Sequence, residues 1–149
     1  MERVSDILKR ELEALKADII QKSRDVGAYA TGDTEKGYEV AVESEYHGWL
    51  GGFAYVGALE TGRRAGKIPI YFSEIIKRWA RAKNLPLANA EPKVFDKWAR
   101  AVAWKIARYG NIRNPKREIF DEPIEEFSER LAAKLAGFYE HETIKSIFD

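Results

Sequence analysis

Apolar residues recur at helical spacing near both ends of this 149-residue chain, and they alternate in only one short stretch between. That change of period restricts the fold more than any other feature. A stripe of period 3.6 does not fit a half-buried strand, and a stripe of period 2 does not fit a helix. Val4, Leu8, Leu12, Leu15 and Ile19 form one stripe and predict an N-terminal helix, started by Ser5 or Asp6 and ended near Gly27. Tyr38, Val40 and Val42 alternate with Glu39, Ala41 and Glu43, which predicts a strand after the Gly32-Asp33 turn. Glycines 48, 51 and 52 read as punctuation. Phe53 to Leu59 reads as a second, antiparallel strand, with a connection longer than two residues.

The remainder reads as helices. A short one, capped by Ser73, carries Ile75, Ile76, Trp79 and Ala80 on one side. A longer one carries Phe95, Trp98, Val102, Ile106 and Tyr109, with Gly110 as its stop. Asp121 caps the last helix and Pro123 sits in its first turn. Glu122, Glu125 and Glu126 complement its positive end, and Ile124, Phe127, Leu131, Leu135 and Phe138 form its apolar stripe. The expectation is one α+β domain over residues 1–149: a helix, a small antiparallel sheet, then a short helix and two longer ones packed on one face.

Charge is segregated along the chain. The net charge of +1 divides into −5 over residues 1–62, +12 over 63–117 and −6 over 118–149. A basic middle between acidic flanks predicts contact with a charged partner, either a neighbouring copy or nucleic acid. There are no cysteines, which excludes disulfides and thiolate chemistry and fits assembly in a reducing cytoplasm. The start, MERVSDILKRELEALK, lacks the apolar core of a signal peptide, and no apolar run approaches the roughly 20 residues of a membrane span. A soluble, cytosolically made chain without membrane contact is expected.

Catalytic signals are weak. His47 and His141 are the only histidines, and neither has metal-ligand spacing. Adjacent residues in Glu140-His141-Glu142 point apart on a helix, and no serine sits in a nucleophile elbow. Gly62-Arg63-Arg64-Ala65-Gly66-Lys67 departs from a phosphate loop in its glycine spacing and in Ile68, which stands where a Ser or Thr is required. No enzyme, cofactor or metal is expected. Trp79 and Trp98 fall on core stripes. Trp104 falls off the stripe of its helix and Trp49 lies among glycines, so these two are the candidate interface aromatics.

One segment carries a resemblance. Tyr55, Leu59-Glu60, Gly62-Arg63, Ala65-Gly66-Lys67 and Pro69, followed by Ile75-Ile76, Trp79 and Lys83-Asn84-Leu85, resemble the neck or tail-completion proteins of siphophages. The N-terminal helix, the Ala30-Thr31-Gly32 turn, the helix end from Ala103 to Gly110 and a loop with Pro115 and Arg117 follow the same layout. Ala65 and Ile70 stand where that family usually has prolines, which makes the loop less rigid. The resemblance implies a non-catalytic virion subunit. It would form a homo-oligomeric ring in the head-tail connector, made in the host cytoplasm and bound to other connector and tail proteins.

A closed ring needs head-to-tail contacts between unlike surfaces. The loops Arg63-Arg64-Lys67 and Arg113-Lys116-Arg117 are the expected carriers. They would face either a neighbour's acidic helices or, from the lumen, the phosphates of passing DNA without sequence specificity. The alternative is a small DNA-binding regulator using a helix from Ser73 to Asn84, with Lys77, Arg78, Arg81 and Lys83.

Overall fold

The computed structural model describes residues 2–28, 32–112 and 115–148, and it has the α+β class read from the sequence. In order, the elements are α1 (Val4–Asp25), α2 (Asp33–Lys36), β1 (Glu39–Ser44), β2 (His47–Gly51), α3 (Val56–Thr61), β3 (Gly62–Arg63), α4 (Phe72–Ala82), a 3-10 turn (Pro86–Asn89), α5 (Pro92–Tyr109), β4 (Asn111–Ile112) and α6 (Asp121–Phe148). They fall into two compact units. One holds α1, the β1–β2 hairpin and α6; the other holds the chain from α3 to β4.

In the first unit, α1 packs against both α6 and the hairpin. Val4, Leu12, Leu15 and Ile19 of the predicted stripe are buried, joined by Ile7, Tyr38 and Ile119. Asp6 sits inside the first turn rather than at the cap, and its carboxylate accepts from the Arg3 backbone N–H at 3.0 Å. That bond holds the Asp6 carboxyl below its ordinary range.

The second strand is not where the sequence placed it. β1 pairs antiparallel with β2, Val40 opposite Leu50 and Ala41 opposite Trp49, through a two-residue Glu45-Tyr46 turn with a bulge between Val42 and Ser44. Residues 53–59 instead lead into α3. A two-residue closure costs less chain entropy than the longer loop to Phe53, so β1 takes the nearer partner. Gly48 belongs inside the strand because of what covers it. A Cβ there would stand 2.8 Å from Leu12 Cδ1 and 3.0 Å from Leu8 Cδ2. Gly48→Ala is therefore expected to lower stability by about 1–2 kcal/mol, measured as a shift in the urea midpoint at constant slope.

In the second unit, α4 crosses α5 on small residues. Ala80, Ala99 and Ala103 are buried with Ile76 and Phe95, and Ile68, Phe72, Trp98, Val102 and Ile106 pack around them. α4 starts at Phe72, so Ser73 lies within the helix and does not cap it. Three apolar residues assigned to stripes are exposed: Trp79 and Ile75 on α4, and Tyr109 at the end of α5. Ile76 and Ala80 take the buried side of α4, and a helix of 11 residues cannot turn Ile75 and Trp79 to the same partner. On α6, Ile124 is likewise exposed, while Phe127, Leu131, Leu135 and Phe138 are half-buried.

Candidate interaction surface

Two glycines end helices in the same way and bring the two basic loops together. α3 stops at Gly62 (φ 80°, ψ −170°) and α5 stops at Gly110 (φ 73°, ψ −172°), a backbone region that essentially only glycine enters. α3 passes directly into β3 and α5 passes through Gly110 into β4, and the two strands pair, Gly62 opposite Ile112 and Arg63 opposite Asn111. The Gly66 N–H donates to the Ala107 carbonyl at 2.9 Å, and the Arg117 N–H donates to the Glu60 carbonyl at 2.9 Å. Gly62, Arg63 and Gly66 are thus tied to β4 and to the end of α5, and Arg117 is tied to the end of α3.

Within this edge the cations differ in role. The Arg63 guanidinium donates to the Lys67 carbonyl and lies 5.4 Å from the Phe72 ring centre, so it closes its own loop. Arg64 and Lys67 are exposed. Lys116 is 4.0 Å from the carboxylate of Glu60, which is buried beneath it, and Arg117 is half-buried. Arg113 lies outside the described residues, as do Ala30 and Thr31 of the predicted turn.

Beside the edge, the end of α5 presents an aromatic sandwich. Trp104 is 57% exposed, as its off-stripe position suggested, and Tyr109 meets it edge-on with centroids 6.2 Å apart. Arg108 lies over both rings, 5.3 Å from Trp104 and 5.7 Å from Tyr109. Such stacking fixes a cation and two amphipathic rings in one orientation at little further entropic cost on binding. The other candidate, Trp49, lies on the hairpin face turned away from α1. Its indole N–H donates to Glu43 at 3.1 Å, and the second Glu43 oxygen is 2.9 Å from His47 Nδ1.

The cations of α4 are already engaged. Lys77 binds Glu74 and, at 3.2 Å, Asp96, which hold its ammonium above the ordinary lysine range, with Glu74 the larger cause. Arg78 pairs with Asp33, Arg81 lies 5.1 Å from the Phe95 ring centre, and Lys83 donates to the Gly27 carbonyl at 2.9 Å. Among the described residues no three His, Asp or Glu side chains gather where a metal could bind, and no helix is long and apolar enough to cross a membrane.

Comparison with protein-family models, curated proteins and solved structures gives no match.

Sequence reasoning singled out the basic loops and Trp104 as candidates, and it did not see the contacts of Arg108 and Tyr109 with Trp104. It also missed an exposed apolar row on α4, Tyr71, Ile75 and Trp79, with Ile70 beside it. The signal for that row was present, since residues 71, 75 and 79 repeat every four positions.

Proposed function

We propose that this chain is a structural subunit of a tailed-bacteriophage virion, a member of a ring in the neck or at the tail end. The single observation that carries the reading is the β3–β4 ladder. It draws the two loops that hold the family-like motif and the excess positive charge into one basic edge, beside an exposed Trp104–Arg108–Tyr109 sandwich. Exposed aromatics next to fixed cations are the composition of an interface core, where Trp, Tyr and Arg supply most of the binding energy. The acidic segment after residue 117 supplies the complementary sign for a head-to-tail contact.

A regulator reading DNA with α4 finds less support. A helix that reads a groove needs cations free to reach phosphates, and Lys77, Arg78, Arg81 and Lys83 each have a protein partner.

The test is quantitative mass spectrometry of purified particles from the culture that makes this chain, counted against the portal protein. A fixed ratio giving about six or twelve copies per particle is expected, as closed ring symmetry requires. Absence from particles together with abundance in the lysate would sink the structural role.

A further inference from the structure

α5 and α6 each carry a second face that nothing in their own unit covers, and the two faces are chemically opposite. On α5 the buried side is Phe95, Ala99 and Ala103. The other side presents Lys93, Lys97, Ala101, Trp104, Lys105 and Arg108, which repeat every three or four residues and are all exposed. The acids of the segment 63–117 are Glu74, Glu91 and Asp96. Glu74 and Asp96 are bound by Lys77, and Asp96 also holds Arg100 at 2.9 Å. Glu91 precedes the helix as its N-cap, so the outward face from Lys93 to Arg108 carries only basic and apolar residues.

On α6 the inner face is fixed by Arg130 and Lys134, which both bind Glu11 of α1. Opposite them run Glu125, Glu129, Ala132, Ala136 and Tyr139, again every three or four residues and again exposed. The basic residues of α6 are Arg130, Lys134 and Lys145, and none falls on this row. It is acidic in its first half and apolar in its second, and a Cβ added at Gly137 beside it would meet nothing within 4 Å.

We propose that the outward face of α5 in one copy seats the outward face of α6 from a second copy, head to tail. Charge complementarity selects this occupant. A copy's own α5 face repels any second α5 face, and α6 repels α6, so only the unlike pairing is favourable. That makes the contact heterologous, the kind from which rings are built. The apolar members of the two faces, Trp104 on one and Ala132 and Ala136 on the other, add burial where small side chains permit close approach of the helices. A single helix pair lies at or below the low end of stable interface sizes, about 1,200 Å² in total. Each contact is thus weak alone and salt-sensitive, and closure gives every subunit two of them. The proposal deepens the ring reading and rests on it for closure.

Two variants of the full chain test it. The first carries Lys97→Glu and Lys105→Glu; the second carries Glu125→Lys and Glu129→Lys. All four positions are exposed, and far-UV circular dichroism checks that both variants fold. Sedimentation velocity at about 50 mM salt, where screening is weak, reads association. The unmodified chain is expected to associate, and each variant alone to lose at least about tenfold in association constant. Mixing the two variants is expected to restore it, because each supplies the sign that the other lacks. The proposal is overturned if the unmodified chain stays monomeric at low salt, if either variant associates as well as the unmodified chain, or if the folded variants fail to rescue each other. The particle count separates this from the ring reading. Rescue without virion incorporation keeps the contact and removes the ring; incorporation without rescue does the reverse.

Discussion

Replacing Arg130 and Lys134 together by methionine is expected to lower the unfolding free energy by about 3–5 kcal/mol at neutral pH, the cost of stranding a buried charge. The charge is Glu11, 2% exposed in the middle of the α1 stripe. Its carboxylate accepts from Arg130 Nε at 3.2 Å and from Lys134 Nζ, and Arg130 reaches on to Asp18 at 3.0 Å. Those bonds, Lys134 first, hold the Glu11 carboxyl below its ordinary value of 4.5. A depressed carboxylate contributes stability that is complete above about pH 4.5 and is lost as the pH falls through its folded value. The double variant reverses the sign. Burial then raises the same carboxyl, opposed only weakly by Arg10, which stays 3.9 Å away on an exposed side chain. The deficit relative to the unmodified chain should therefore shrink as the pH is lowered from 7 towards 4, when protonation relieves the stranded charge. Urea unfolding at pH 7, 5.5 and 4 measures it. Adding Glu11→Met to the pair should return most of the loss, since an apolar cluster of similar volume replaces a buried ion group at little net cost. A deficit that stays constant with pH would mean that Glu11 is not the group responsible.

The same cluster marks where reading the sequence stops. The α1 stripe was legible because five apolar residues keep one phase over four turns. Glu11 falls within that arc, but the sequence shows only an acid among leucines. Its partner Arg130 lies 119 positions on, and no local pattern announces it. The ends of α5 and α6 were legible for a local reason, a glycine stop and a proline-acid start. β2 was not, because Gly48 and Gly51 read as breaks until α1 is seen lying against Gly48. The sequence places Ile75, Ile76, Trp79 and Ala80 on one inward side of α4, but they form two adjacent apolar faces on one short helix, and only Ile76 and Ala80 are buried. The basic loops were legible as charge and as a family-like motif. Their convergence was not, since it rests on two strands of two residues each, too short to leave a period.

The convergence itself gives the second large effect. Gly110→Ala is expected to cost about 2–4 kcal/mol and to free the basic edge. Two penalties add at this position. The backbone, at φ 73° and ψ −172°, lies in a region closed to a residue with a Cβ. A Cβ there would also stand 2.6 Å from the Arg63 carbonyl oxygen and 2.7 Å from the Ala65 nitrogen. Both of those atoms belong to backbone, so no side chain can swing aside to relieve the clash. The residue can be accommodated only by moving residues 62–66 away, which breaks the pairing of Arg63 with Asn111 and the bond from Gly66 to Ala107. Amide hydrogen exchange localises the outcome. Protection at residues 62–66 and 111–112 should collapse towards that of an open loop, while the middle of α5, buried through Ala99 and Ala103, keeps its own. If exchange at 62–66 is unchanged in the folded variant, the ladder is not what holds the two loops together. The basic edge would then have to be organised by the Arg117–Glu60 backbone bond alone.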